Sequence, residues 1–149
     1  MGYESTLSKA INTVQEGLYS DYAGRKITAK DACILFRPYA FSRQEHLQVI
    51  TLDAKGALIG LYEITKGILD STHMHPREIF FPALRDFASA IYIAHNHPSG
   101  NFLPSPEDKD CTTTLIKAGA VLGIRVLDHL VITRKECFCI SKNKLLKEV

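Results

Sequence analysis

Apolar positions along the chain change period several times, and each change marks an element. Leu7, Ala10, Ile11, Val14 and Leu18 recur at three- and four-residue intervals, which predicts an amphipathic helix over about residues 5–20. The stretch Tyr22-Ala23-Gly24-Arg25-Lys26 ends it as a loop. Thr28 and Asp31 stand in the relation of a capping-box variant and open a second helix, running from residue 28 or 29 to about 37, before Pro38. Alternation then takes over. Residues of about 45–52 and 57–65 predict antiparallel strands joined by Asp53-Ala54-Lys55-Gly56, and a short strand is expected near 68–73.

From Pro76 to about Ser89, the residues Ile79, Phe80, Ala83, Leu84 and Phe87 share one face of a helix, within which Pro82 removes a backbone hydrogen bond and predicts a kink. Ala90-Ile91-Tyr92-Ile93-Ala94 is a continuous apolar run and reads as a buried strand over about 90–95. A helix over about 105–122 stops at Gly123, strands over about 124–133 and 136–140 follow, and residues 141–148 are expected to form a helical turn or two. Strands interleaved with helices predict an α/β three-layer sandwich around a mixed sheet.

With 149 residues, 46% of them hydrophobic, the chain fits one globular domain large enough to bury a core. A net charge of +2 and dispersed Lys and Arg residues give no electrostatic footprint for nucleic acid, so DNA binding is not supported by charge. No apolar run approaches the eighteen or so residues of a membrane span, and no charged lead into an apolar signal segment is present. Cys33, Cys111, Cys137 and Cys139 form no framework typical of a small secreted protein. They are expected to be reduced thiols, Cys137 and Cys139 included, in a cytoplasmic setting.

Chemistry concentrates in His95-Asn96-His97-Pro98-Ser99-Gly100, followed at fixed distance by Ser105 and Asp108. Residues two apart on an extended chain point the same way with Cα atoms about 6.5 to 7 Å apart, a span that two imidazoles can close onto one ion. Pro104-Ser105-Pro106-Glu107-Asp108 reads as a helix start with Ser105 as N-cap and Pro106 at the first helical position. Helical side chains lean toward the N-terminus, so Asp108 aims its carboxylate back at the histidine loop. His95, His97 and Asp108 are therefore the expected metal ligands. Three protein ligands with one open position define a catalytic Zn2+ site. A carboxylate base is still wanted, and Glu45, Asp53, Glu63, Asp70, Glu78 and Asp86 all precede the histidines without composition choosing among them.

The pattern H-x-H, seven residues, Ser, two residues, Asp resembles the signature of the JAMM (JAB, MPN+) metalloprotease-like domains. The wording H-N-H-P-S-G with P-S-x-x-D is similar to the bacterial RadC-like branch, over roughly residues 28–140. The resemblance implies a fold like that of cytidine deaminases, with residues 1–27 as an N-terminal helical segment and 28–149 as the metallohydrolase domain. It also chooses the base: Glu45 to Asp53 resembles the family segment in which a Glu opens a strand ending in Leu-Asp, which implies Glu45. The motif serine, Ser105, is implied as hydrogen-bond donor to the developing oxyanion. Longer members are expected to carry a further N-terminal region resembling a helix-hairpin-helix DNA-binding module.

Other polar residues in apolar settings read differently. His73 and His75 form a second H-x-H pair without the Ser and Asp, and His75-Pro76-Arg77-Glu78, similar to the family's H-P-R-E segment, starts a helix. Asp128-His129 resembles the family's D-H step, and a role behind the ligands or within the sheet is expected of it. The deaminase pattern H-x-E with P-C-x-x-C is absent, as is H-E-x-x-H. The expected activity is zinc-dependent hydrolysis of an amide or isopeptide bond in a peptide or protein substrate. The alternatives are a DNA-associated or protein-interaction module whose metal stabilises the fold, and a metal-dependent phosphodiesterase.

Overall fold

The computed structural model describes residues 3–67 and 74–146. Helix α1 (Tyr3–Tyr22) and helix α2 (Ala29–Phe36) are followed by a 3-10 turn (Arg37–Phe41) and the strands β1 (His46–Leu52) and β2 (Leu58–Lys66). Two short helices, α3 (Pro76–Ile79) and α4 (Phe81–Arg85), lead to β3 (Ala90–Asn96) and the long helix α5 (Pro106–Leu122). Strands β4 (Arg125–Ile132), β5 (Cys137–Cys139) and β6 (Lys144–Leu146) complete the chain. The expected short strand near 68–73 falls outside the described residues. No helix among the described residues is long and apolar enough to cross a membrane.

The strands form one sheet in the order β2-β1-β3-β4-β5-β6. Among the described residues, β3 and β4 pair in parallel and every other neighbouring pair is antiparallel. The expected α/β sandwich around a mixed sheet is therefore observed. A parallel pair needs a crossover, and α5 supplies it. Strand β3 is buried along its whole length, and its alternation splits the core: Ala90, Tyr92 and Ala94 pack with α1 and α2, whereas Ile91 and Ile93 pack with α3, α4 and α5. The same parity carries His95 to the α5 side of the sheet.

Helix α5 lies close on that side because Gly119 faces the start of β4. A Cβ there would collide with the Ile124 carbonyl and press on Phe80. Gly123, at φ 76°, ends the helix in the left-handed conformation.

Several expectations are corrected. The predicted helix from Pro76 to Ser89 is divided at Phe80, because Pro82 has no N–H for the Glu78 carbonyl. The division turns the second half away from the core: Ile79, Phe80 and Ala83 are buried, but Leu84 is 50% and Phe87 92% exposed. On α1 the buried stripe runs through Ile11 and Gln15 rather than Val14, which is 56% exposed. Gln15 is tied down by Nε2, which donates to the Leu35 carbonyl at 3.1 Å and to Gln48 Oε1 at 2.8 Å. Residues 144–146 form β6, not a helical turn, because a turn with Asn143 at φ 48° reverses the chain onto β5. The thiols are corrected as well. Cys33 on α2 and Cys137 on β5 are joined in a disulfide, their Cα atoms 6.2 Å apart, while Cys111 and Cys139 are free and buried.

Candidate metal centre

The site begins where β3 runs out. The His97 amide still donates to the Ile132 carbonyl at 3.0 Å, continuing the parallel ladder by one residue. The chain then turns, with the Gly100 amide donating to the His97 carbonyl at 3.0 Å and Gly100 at φ 86°. The loop brings the Asn101 carbonyl back to His97 Nδ1 at 2.8 Å. Ser105 caps α5 in a complete capping box: its hydroxyl oxygen accepts from the Asp108 amide at 3.0 Å, and its own amide donates to Asp108 Oδ2 at 2.9 Å. Asp108 is thereby held facing the histidines while 6% exposed.

Among the described residues, His95, His97 and Asp108 form a group able to hold a metal ion. His95 Nε2 and His97 Nε2 are 3.0 Å apart, and Asp108 Oδ2 lies 3.4 Å from the first and 3.5 Å from the second. Tetrahedral ligands at about 2.0 to 2.1 Å from zinc are about 3.3 Å from one another, so these spacings need almost no rearrangement. The donor set fits too. His97 Nδ1 faces a carbonyl, which can only accept, so its proton sits on Nδ1 and Nε2 offers a lone pair. Lone pairs converging on a carboxylate repel unless a cation lies between them.

Electrostatics point the same way. Burial pushes the Asp108 carboxyl up, but the neighbouring His95 and His97, with the Ser105 amide, outweigh it and hold the group far below the carboxylate range. Burial pushes His97 down, and Asp108, the Asn101 carbonyl and the more distant Glu45 reverse that, leaving it raised. The pocket thus favours positive charge, whether a proton or a metal ion supplies it.

The other candidate residues separate cleanly. Glu45 and Ser105 line one cavity of about 750 Å³ together with His97. Glu45 lies half-buried one residue before β1 rather than within the strand, its carbonyl held by the Gly67 amide at 2.8 Å. Ser105 uses an oxygen lone pair to cap the helix, which leaves its hydroxyl proton available to the cavity. His75 caps α3 instead, its Nδ1 accepting from the Arg77 amide at 3.2 Å, and His73 lies outside the described residues.

Behind the candidate ligands stand His129, from the Asp128-His129 step singled out in the sequence, and Thr112, which motif spacing does not name. His129 is fully buried, with Nε2 2.7 Å from His95 Nδ1 and Nδ1 2.7 Å from Thr112 Oγ1. Burial pushes His129 well below the usual imidazole value. Thr112 stands four residues after Asp108, hence on the same helix face; that spacing is the signal in the sequence that could have found it. Asn96, between the two histidines, reaches the backbone on either side of Glu45.

The family model described as a RadC-like JAB domain matches residues 27–145. The chain belongs to this family. Its mixed sheet with helices on both faces agrees with the JAB/MPN fold. A UPF0758 protein of Clostridium kluyveri is 42% identical over 127 residues, covering 85% of this chain and 54% of the relative. One from Clostridium perfringens is 45% identical over 104 residues, 70% of this chain and 46% of the relative. A third, from Geobacter sulfurreducens, is 43% identical over 96 residues, 63% of this chain and 42% of the relative. This RadC-like JAB domain spans about half the length of the curated relatives it matches.

Proposed function

We propose that this domain is a zinc-dependent hydrolase that cleaves amide or isopeptide bonds in a peptide or protein substrate. The observation that carries the reading is the convergence of His95 Nε2, His97 Nε2 and Asp108 Oδ2 within 3.0 to 3.5 Å, beside a cavity that Glu45 and Ser105 also line. His95, His97 and Asp108 hold the ion. Zinc, when bound, polarises a scissile carbonyl and brings the pKa of a water molecule in its shell toward about 7.

The chain's own groups supply the rest. Glu45 takes a proton from the attacking water as its oxygen bonds to the carbonyl carbon, and delivers that proton to the nitrogen as the C–N bond breaks. Ser105 donates its hydroxyl hydrogen to the carbonyl oxygen as negative charge develops there. His97 is fixed by the Asn101 carbonyl, so it presents the same nitrogen throughout.

Glu45→Gln and His97→Ala test the reading on a panel of peptides and isopeptide-linked conjugates. Glu45→Gln is expected to retain stoichiometric zinc and lose turnover, and His97→Ala to lose both. Equal metal loss in the two variants would remove Glu45 from the role of base. Chelator-sensitive turnover of phosphodiesters alone would replace the peptide reading. The reading also keeps the cytoplasmic setting, although the Cys33–Cys137 disulfide favours an oxidising one; trapping both thiols by alkylation in intact cells tests it.

A further inference from the structure

We propose that Thr112 and His129 are positioning residues for the metal ligand His95, acting through a one-way chain of hydrogen bonds that starts at the backbone carbonyl of Asp108. The inference rests on the metal-site reading above. Its argument is one of proton accounting. The Thr112 hydroxyl has one hydrogen, and it is donated to the Asp108 carbonyl at 2.7 Å, an atom that can only accept. Thr112 Oγ1 must therefore accept from His129 Nδ1, 2.7 Å away. His129 is fully enclosed, and its two ring nitrogens meet a hydroxyl and another imidazole with no carboxylate on either, so the ring carries a single N–H and its Nε2 is left as an acceptor. It faces His95 Nδ1 at 2.7 Å, and His95 must be the donor. The remaining nitrogen of His95, Nε2, is then an unprotonated lone pair aimed at His97 Nε2 and Asp108 Oδ2.

Each member of the chain is buried, with His95 and Thr112 both 2% exposed and His129 fully enclosed, so water cannot reverse the sequence of donors. The chain also begins and ends on ligands. One threonine ties the backbone of Asp108 to the ring orientation of His95 through β4, where His129 pairs with Ile93 two residues before the ligand. Removing the Thr112 hydroxyl leaves His129 Nδ1–H without a partner in the core. Moving its proton to Nε2 exchanges that buried unpartnered N–H for an unpartnered lone pair; His95 then accepts at Nδ1, and the His95 proton moves to Nε2, the atom that should bind metal. Groups of this kind behind a metal ligand are worth about 10- to 100-fold in affinity.

The test uses the full chain stripped of metal and titrated with Zn2+ against a competing chelator, alongside heteronuclear NMR of 15N-labelled imidazoles in the metal-free state. Thr112→Val, close in shape, is expected to weaken zinc binding about 10- to 100-fold. Its His95 and His129 signals should change from Nδ1–H to Nε2–H. Thr112→Ser keeps the hydroxyl and is expected to restore both the affinity and the Nδ1–H signals. Wild-type protein that binds no zinc would overturn the metal site and this inference together. Wild-type protein that binds zinc while Thr112→Val binds equally well, or shows His95 protonated at Nδ1 as before, would overturn this inference alone. Equal weakening in Thr112→Ser and Thr112→Val would likewise overturn it, by assigning the effect to packing.

Discussion

Asn96 grips the chain on both sides of Glu45. Its Oδ1 accepts from the His46 amide at 2.6 Å, and its Nδ2 donates to the Gln44 carbonyl at 2.9 Å. The residue between the two histidines thus fixes the start of β1 against the end of β3. The proposed base and the proposed ligands sit on different strands, and this amide is a direct bond between them.

Cutting that bond should move the base without disturbing the metal. Asn96→Ala is expected to lower kcat by about 100-fold, the scale of a displacement near 1 Å, while the zinc Kd stays at its wild-type value. Asn96→Asp keeps the acceptor for His46 but sets a carboxylate oxygen against the Gln44 carbonyl, so it should not restore kcat. Steady-state kinetics and chelator competition on the same preparations check both statements.

Ser105 caps α5, and the oxyanion role proposed for it can be separated from the cap by substitution. As N-cap it accepts from the Asp108 amide, and its loss to alanine costs about 1 kcal/mol, but glycine costs only a few tenths. Ser105→Gly should therefore unfold in urea close to the wild type and yet lose turnover by about 10²- to 10³-fold, as for removal of an oxyanion donor. Unaltered kcat in Ser105→Gly would leave the serine with the cap alone.

The free thiol of Cys139 makes stability depend on alkaline pH. Burial, and next the charge of Asp128, push it from an ordinary 9.0 up to about 12. The folded chain then holds a proton that the unfolded chain gives up, so this contribution is complete below pH 9 and is lost as pH rises toward 12. Urea unfolding without reductant between pH 8 and 11 should show a steeper loss in the wild type than in Cys139→Ala. The slopes are compared, so the cavity left by alanine does not enter.

The Cys33–Cys137 disulfide closes a loop across a sequence separation of 104. Its reduction is expected to lower stability by about 2–4 kcal/mol, typical of a cross-link that constrains the unfolded chain. Both cysteines pack in the core on the α2 side of the sheet, opposite the face that carries His95, so zinc stoichiometry should survive reduction. Denaturant titrations with and without dithiothreitol, each followed by metal analysis, measure the two quantities separately.

What the sequence makes legible is what depends on near neighbours. His95 and His97 share a strand end, and Ser105 with Asp108 forms a cap within one helical turn, so spacing alone places each pair. The contact of Thr112 with His129 depends on how closely α5 packs on β4, which Gly119 permits and no local pattern states. Pro82 reveals an interruption but not the rotation after it, which leaves Phe87 in solvent. Three-residue strands such as β6 are too short to show a period, and the partner of Cys33 emerges only once β5 lies beside β4 across from α2.

The capping box gives the centre a mechanical side. Asp108 Oδ2 both receives the Ser105 amide and faces the two imidazoles, so one atom secures the amino end of α5 and completes the ring of donors. A metal ion in the ring would clamp that oxygen, and its removal would free the first turn to fray. Occupancy is therefore expected to slow amide exchange at the beginning of α5, where a spectrometer reads it without any substrate.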